Sequence, residues 1–149
     1  MVLKFRLISD EVKDFVRDIE ILAEQTFYDL HSCIVENFHY DKSQLASFFL
    51  TNREWEKLQE FTLFDMSENG SSHTILMDRA VLRDYITDAK QRLLYVFDVF
   101  NERLIFLELT AMIKERGKEK YPQVTHSTGH PPRQIMLGSI NFEGLNVDE

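Results

Sequence analysis

Two runs of β-favouring residues lie close together in the second half of the chain, RLLYVFD (92–98) and ERLIFLELT (102–110). Only VFN (99–101) separates them, and strands joined by so short a link pair in an antiparallel hairpin. Nearly continuous apolar runs are typical of strands buried inside a sheet. The pattern predicts a tight hairpin near the middle of a sheet, with Asp98 at its rim. Because the link has no glycine, either Asn101 takes a positive φ or the loop is longer.

The first residues of the chain predict a second hairpin. In VLKFRLI (2–8) apolar side chains alternate with Lys4 and Arg6, which is the period of a half-buried strand. FVRDIEIL (15–22) alternates again, although Arg17 interrupts its apolar face. A short polar link joins the two runs, so we expect them to pair antiparallel.

At Thr26 the period changes to that of a helix. Thr26 suits the N-cap position, and Asp29 places a negative charge in the first turn, where it favours the helix dipole. We expect this helix to end near Asn37. One apolar stripe recurs at helical spacing: Phe27, Leu30, Ile34 and Phe38.

Length favours one domain over residues 1–149. The predicted strands and helices make it a compact α+β domain, built from a mainly antiparallel sheet packed with a few helices. Apolar residues form 44% of the chain, which is ordinary for a globular protein. The remaining segments are predicted as a strand (45–52), a helical turn with a short strand (54–64), a loop (67–73), two short helices (81–89 and 111–120) and a less regular C-terminal tail (121–149).

Charge and cysteine content limit the classes of function. The net charge of −8 disfavours a protein that neutralises many phosphates of a nucleic acid. Cys33 is the single cysteine, which excludes an internal disulfide and fits a reducing compartment. No stretch approaches the ~20 apolar residues of a membrane span. We therefore expect a cytoplasmic protein that binds no membrane.

One basic segment stands against the acidic background. KERGKEK (114–120) carries four positive and two negative side chains, and a solvated helix end or loop is its first interpretation. An anion or nucleic-acid contact is the alternative. That contact would use five side chains: Lys114, Arg116, Lys118, Lys120 and Arg133.

The histidines and the cysteine do not form a recognisable metal or cofactor motif, and we expect neither a metal nor a cofactor. His31 lies beside Leu30 in the predicted helix, without a helical ligand partner four residues later. It is interpreted as a hydrogen-bonded histidine at the edge of the core. His126 and His130 have helical spacing, but the STG between them disfavours a helix. Cys33 is interpreted as a small buried side chain.

Carboxylates give the remaining candidates for chemistry. Asp98 is interpreted as a turn residue that bonds the backbone, ahead of a general base. Glu108 falls on the same strand face as Leu104 and Phe106, and a carboxylate there needs a cation such as Arg92 or Arg103. Glycine-rich phosphate loops, nucleophile elbows and dinucleotide motifs are absent from the sequence. An enzyme is therefore the less favoured reading.

Six stretches, from Phe5 to about Pro132, resemble one known family, the plasmid ORF-three-like proteins, which are often described as passengers of insertion elements in bacteria. The resemblance implies a compact α+β domain and no established reaction. The stretches are KFRLI, IEIL, TFYDLHSCIVENF, YDKSQLASF, LLYVFDVFNERLIFLEL and YPQVTHSTGHPP.

The chain departs from that family at several polar positions. Residues 44–46 read QLA where the family commonly carries a histidine-bearing HLH-like step. Residues 98–103 read DVFNER where it commonly has a DFGDxW turn, and the cysteines often seen near the family's end are missing. His31 and Asp98 are retained. The departures weaken any metal or catalytic role carried over from other members.

Three functions remain open. The first is a non-enzymatic interaction or accessory module of a mobile element, acting on a macromolecular partner, with protein favoured. The second is a nucleic-acid-binding accessory protein that uses the basic residues named above. The third is an unrecognised hydrolase or small-ligand protein with a concave pocket around at least two of His31, Asp41 and Asp98. The sequence indicates no oligomeric state.

Overall fold

A single sheet with one helix on its face organises the chain. The computed structural model describes residues 1–65 and 73–135. Within these residues there are eight strands, one α-helix and two 3₁₀ turns. In chain order they are β1 (Val2–Ile8), β2 (Val16–Leu22), α1 (Phe27–Phe38), β3 (Ser47–Thr51), β4 (Lys57–Thr62), β5 (Ile75–Leu76), the 3₁₀ turns Met77–Arg79 and Leu82–Asp84, β6 (Arg92–Asp98), β7 (Arg103–Ile113) and β8 (Gln123–Thr128).

The strands are ordered β5-β4-β3-β6-β7-β1-β2-β8, and every neighbouring pair is antiparallel except β4 with β5. The β6–β7 hairpin therefore occupies the centre of the sheet, as predicted. Its loop is longer than the predicted three residues, because residues 99–102 all lie outside the strands. The positive φ, 52°, belongs to Glu102 and not to Asn101. The α+β fold class is confirmed.

The predicted β1–β2 hairpin is also confirmed, with Leu3 opposite Ile21 and Phe5 opposite Ile19. These four side chains are at most 1% exposed. They belong to the same hydrophobic core as Leu107 and Leu109 of β7. Strand β7 pairs with the other edge of β1. The alternation of the sequence therefore separates a buried face of the sheet from a more polar one.

The helix begins and ends as its sequence predicts. The Thr26 hydroxyl accepts a hydrogen bond from the Asp29 N–H, and the Asp29 carboxylate accepts one from the Thr26 N–H, which forms a capping box. The helix ends at His39, whose φ of 59° is left-handed. The buried stripe Phe27, Leu30, Ile34 and Phe38 is part of the common core.

Aromatic rings hold the start of α1 against the sheet. The Phe27 ring is stacked on that of Phe61 in β4, with centroids 4.0 Å apart, and lies 5.4 Å from Phe48 in β3. Tyr85, which follows the second 3₁₀ turn, contacts both Phe27 and Phe61. This cluster fixes the helix relative to β3 and β4, and thereby fixes the space beside the helix.

Two sequence predictions are wrong. The helix expected over 111–120 does not form, because β7 continues to Ile113 along the backbone of Val2–Lys4 and residues 114–120 contain no regular element. The tail from residue 121 is not irregular throughout, since β8 pairs with β2. The β8 side chains are mostly exposed. An edge strand held by backbone hydrogen bonds needs no apolar alternation, so the sequence gives no strand signal there.

Other predicted segments are present in a changed form. The strand expected over 45–52 is β3, and the short strand expected within 54–64 is β4. The helix expected over 81–89 is reduced to the 3₁₀ turn Leu82–Asp84. Of the predicted loop 67–73, residues 67–72 lie outside the described residues.

The Phe27→Ala variant should lose about 3–5 kcal/mol of unfolding free energy, because it empties the space between Phe48 and Phe61. Urea unfolding of the variant and the wild-type protein measures this difference. Phe100→Ala is the matched control. Its side chain is 86% exposed, so the expected change is within about 0.5 kcal/mol. Equal losses in both variants would contradict the packing described for α1.

Candidate functional site

An open groove of about 780 Å³ runs beside α1. The helix contributes one face, from Tyr28 to His39, next to its buried stripe, and Leu63 and Phe64 line the groove from the segment after β4. Tyr28 and Phe64 are 45% and 47% exposed. Lys42 also lines the groove. The volume is in the range of ordinary ligand sites, which is about 300–1,000 Å³.

His31 connects this groove to the core. Its side chain lines the groove although the residue is only 3% exposed. Its Nδ1 lies 2.8 Å from the Tyr95 hydroxyl oxygen in β6. Burial lowers the pKa of His31 to about 4, and burial raises the pKa of the Tyr95 hydroxyl. Both groups are therefore neutral near pH 7. The sequence interpretation of a hydrogen-bonded histidine at the edge of the core agrees with this geometry.

The second ring nitrogen of His31, Nε2, is not engaged by Tyr95. Nε2 has no hydrogen-bond partner among the described residues. In the described part of the chain, the one fully enclosed side-chain nitrogen or oxygen without a partner is Thr62 Oγ1. Because the ring lines the groove and its Nδ1 is bonded to Tyr95, Nε2 is the ring nitrogen that a group bound in the groove would meet.

The other two predicted binding residues, Asp41 and Asp98, do not line the groove, although Asp41 lies between the lining residues Tyr40 and Lys42. Asp41 is exposed and accepts hydrogen bonds from the N–H and the hydroxyl of Ser43, which lower its pKa. Among the described residues, the lining of the groove includes His31 but neither Asp41 nor Asp98. The expected pocket around two of the three residues is not this groove. Ligand binding by any of the three stays a prediction.

Asp98 belongs to a partly buried network around Arg103. Burial opposes its ionisation, but hydrogen bonds from Asn101 and Arg103 outweigh burial and lower its pKa. Arg103 is 8% exposed and also donates to Glu11 at 2.8 Å and to the Arg133 carbonyl at 2.6 Å. Its guanidinium lies 4.7 Å from the Phe97 ring centroid. The network joins the β1–β2 link, the β6–β7 hairpin and the segment after β8.

The five basic residues named from the sequence do not form one patch. Residues 114–120 follow the last residue of β7, whereas the Arg133 carbonyl is bonded to Arg103, the first residue of β7. Eleven residues of strand separate these points by roughly 34 Å. The Arg116 guanidinium lies over the Tyr121 ring, 5.4 Å from its centroid. A role of these side chains in anion or nucleic-acid contact stays a prediction.

The remaining candidates have ordinary surroundings. Glu108 lies 3.9 Å from Arg92, one of its two predicted partners, and both side chains are partly exposed. Burial raises the pKa of the Cys33 thiol to about 11, so this thiol is a poor nucleophile. His126 is exposed and opposite Asp18 in the β2–β8 pair. In residues 1–65 and 73–135 no group of three His, Cys, Asp or Glu side chains is placed to hold a metal.

Sequence reasoning did not find the walls of the groove. Tyr28 and Phe64 are far apart in sequence. Tyr28 lies in one of the stretches that resemble the family, but Phe64 lies in none of them. Tyr95 was assigned to the central hairpin without a link to His31, 64 positions away. The half-apolar helix face beside the buried stripe was the one available signal, and it does not identify the segment that completes the groove.

The geometry defines an α+β protein with a mainly antiparallel sheet and a groove beside its helix. The chain belongs to the plasmid pRiA4b ORF-3-like protein family, whose family model matches residues 1–144; this confirms the resemblance. No curated protein matches the chain. A crystal structure of a protein of unknown function from Methanosarcina mazei Go1 has a similar fold, with a TM-score of 0.68, 21% identity and coverage of 85% of this chain and 68% of that chain.

None of the described helices has the length and apolar character needed to cross a membrane.

Acid should destabilise the wild-type protein partly through His31. The unfolded chain binds this proton near pH 6.5 and the folded protein near pH 4, so stability falls as the pH is lowered from 6.5 to 4. This difference corresponds to at most about 3.4 kcal/mol. In His31→Gln this part of the loss of stability in acid should be missing. The lowered pKa values of Asp18 and Asp98 also reduce stability in acid, but equally in both proteins. Urea unfolding at pH 4, 5, 6 and 7 measures it. Parallel pH dependences in the two proteins would contradict the burial of a neutral His31.

Arg103→Met should cost about 3–5 kcal/mol of unfolding free energy, because it leaves the nearly buried Asp98 carboxylate without its cation. Adding Asp98→Asn should recover part of this loss, which a double-mutant cycle in urea measures. Arg92→Met is the control, since its 3.9 Å pair with Glu108 is partly exposed and contributes under about 1 kcal/mol. Additive effects at Arg103 and Asp98 would argue against the network.

Proposed function

We propose that this protein is a non-catalytic binding module that takes a segment of a partner protein into the groove beside α1. One observation carries the proposal: a nearly buried histidine, bonded to Tyr95 through one ring nitrogen, lines a groove flanked by the half-exposed rings of Tyr28 and Phe64. Exposed aromatic side chains beside a few polar groups are typical of protein-binding surfaces. The role is that of an accessory protein in the cytoplasm, beside a mobile element; the plasmid in the family's description supports the mobile element.

The distribution of titratable groups supports binding over catalysis. General acid and base catalysis needs two groups held together with their pKa values moved apart. His31 has Tyr95 as its hydrogen-bond partner within the described residues, and the Tyr95 hydroxyl keeps its proton because burial raises its pKa. Asp41, Asp98 and Cys33 do not line the groove. Of these four candidates for chemistry, His31 is thus the one that lines the groove.

The charges support a protein partner over a nucleic acid. The net charge is −8, and the groove carries Glu36 as well as Lys42. A surface that binds phosphates needs an excess of cations. The basic residues after β7 lie outside the groove. A protein segment with apolar side chains fits this surface better than a polyanion does.

Selection of displayed random decapeptides on the immobilised protein tests the proposal. We expect enriched peptides whose affinity falls at least tenfold in Tyr28→Ala and in Phe64→Ala, because each variant removes an aromatic wall of the groove. Isothermal titration of the synthesised peptides measures these affinities.

Leu58→Ala is the matched control, since Leu58 is an apolar side chain that is 66% exposed and does not line the groove. Its affinities should remain within twofold of the wild-type values. Two outcomes would overturn the proposal. One is no enrichment above an unrelated protein, and the other is equal weakening by all three variants. Tight binding of a DNA duplex at low salt, without peptide binding, would favour the nucleic-acid alternative.

A further inference from the structure

We infer that His31 presents an N–H donor, and not an acceptor, to the groove, and that a main-chain carbonyl oxygen of an extended peptide occupies the position at its Nε2. The inference rests on the proposed function and specifies the chemistry of its ligand. Four features of the described residues carry it: the enclosure of Tyr95, the neutrality of His31, the mixed charge of the groove and its length along the helix.

The Tyr95 hydroxyl determines which ring nitrogen carries the proton. Tyr95 is 1% exposed, and its hydroxyl has His31 Nδ1 as its hydrogen-bond partner among the described residues. If Nδ1–H donated to the hydroxyl oxygen, the hydroxyl hydrogen would be buried without an acceptor. A buried donor without a partner costs about 1–3 kcal/mol. The Tyr95 hydroxyl therefore donates to Nδ1, and the proton of the neutral ring is on Nε2.

The neutral state of the ring is required for this arrangement. A protonated imidazole carries hydrogen on both nitrogens and cannot accept from Tyr95. Burial lowers the pKa of His31 to about 4, so the ring is neutral at physiological pH. Nε2–H is consequently an uncharged donor on a ring that lines the groove.

The charges of the groove favour an uncharged acceptor over a carboxylate. Glu36 and Lys42 both line it, and their charges oppose each other. His31 adds no positive charge. A peptide carbonyl satisfies an N–H donor without bringing a charge that the groove would have to neutralise.

The shape of the groove favours an extended segment. Its helix face runs from Tyr28 to His39, a rise of roughly 16 Å at 1.5 Å per residue. An extended chain rises about 3.3 Å per residue, so about five residues span this distance. Such a segment exposes carbonyl oxygens at regular intervals and directs its apolar side chains towards Tyr28 and Phe64.

The first experiment reads the proton position without any ligand. Long-range ¹⁵N–¹H correlation spectra of histidine-labelled protein at pH 7 should show His31 protonated at Nε2 and unprotonated at Nδ1. Tyr95→Phe removes the hydroxyl, so His31 should then populate both tautomers. An Nδ1–H tautomer in the wild-type protein would overturn the inference.

The second experiment tests the donor with a capped dipeptide, N-acetyl-phenylalanyl-leucine N-methylamide, titrated into labelled protein. In His31→Gln the amide can still accept a hydrogen bond from the Tyr95 hydroxyl through Oε1 and donate one to the ligand through Nε2. In His31→Leu both hydrogen bonds are lost. We expect the affinity to stay within about threefold in His31→Gln and to fall about tenfold in His31→Leu, the size of one hydrogen bond. Heat unfolding of each variant confirms that it is folded.

The outcomes separate the two proposals. Equal affinity of His31→Leu and the wild-type protein would overturn the carbonyl contact while leaving the groove as a binding site. Failure of the dipeptide and of all selected peptides to bind would overturn the proposed function and the ligand assignment with it, whatever the tautomer. Changes in the groove signals on dilution of the protein alone would assign the groove to a second copy of this chain, against the inference.

Discussion

The packing of Phe27 against Phe61 and Phe48 is the contact on which the arrangement of the molecule depends. It holds the first turn of α1 on the buried face of the sheet, and the remaining apolar stripe continues this contact to Phe38. Because the helix cannot rotate about its axis without exposing this stripe, the neighbouring stripe from Tyr28 to His39 has a fixed direction. The groove is the consequence of that fixed direction.

Two buried polar side chains, Arg103 and His31, differ in how many of their polar atoms have hydrogen-bond partners. Arg103 has partners for its guanidinium in two carboxylates and two carbonyl oxygens, and it joins three segments of the chain. His31 has one partner, Tyr95, and one nitrogen without any among the described residues. A network whose polar atoms all have hydrogen-bond partners stabilises a fold. A polar atom beside a cavity, without such a partner, is a candidate for ligand binding. This contrast directs the search for function to α1 and away from Asp98.

The sequence predicted those elements whose signals are local. Thr26 and Asp29 form the capping box within one turn, and the alternation in β1 and β2 acts over neighbouring residues. Prediction failed where pairing is supplied from elsewhere. β8 is held by the backbone of β2, and the last residues of β7 are held by β1. The sequence also suggested a positive φ at Asn101, whereas the structure has it at Glu102.

In the candidate site, too, the local features could be predicted from the sequence and the distant contacts could not. The spacing of Leu30 and Ile34 puts His31 at the margin of the buried stripe, so the sequence alone places a polar ring at the edge of the core. It does not reveal which ring edge is covered, because Tyr95 reaches His31 from a strand 64 positions later. The segment after β4 lines the groove because β4 pairs with β3, and the sequence does not reveal this pairing either. A histidine at the edge of the core becomes a binding candidate only when the tertiary fold shows which ring nitrogen already has a hydrogen-bond partner.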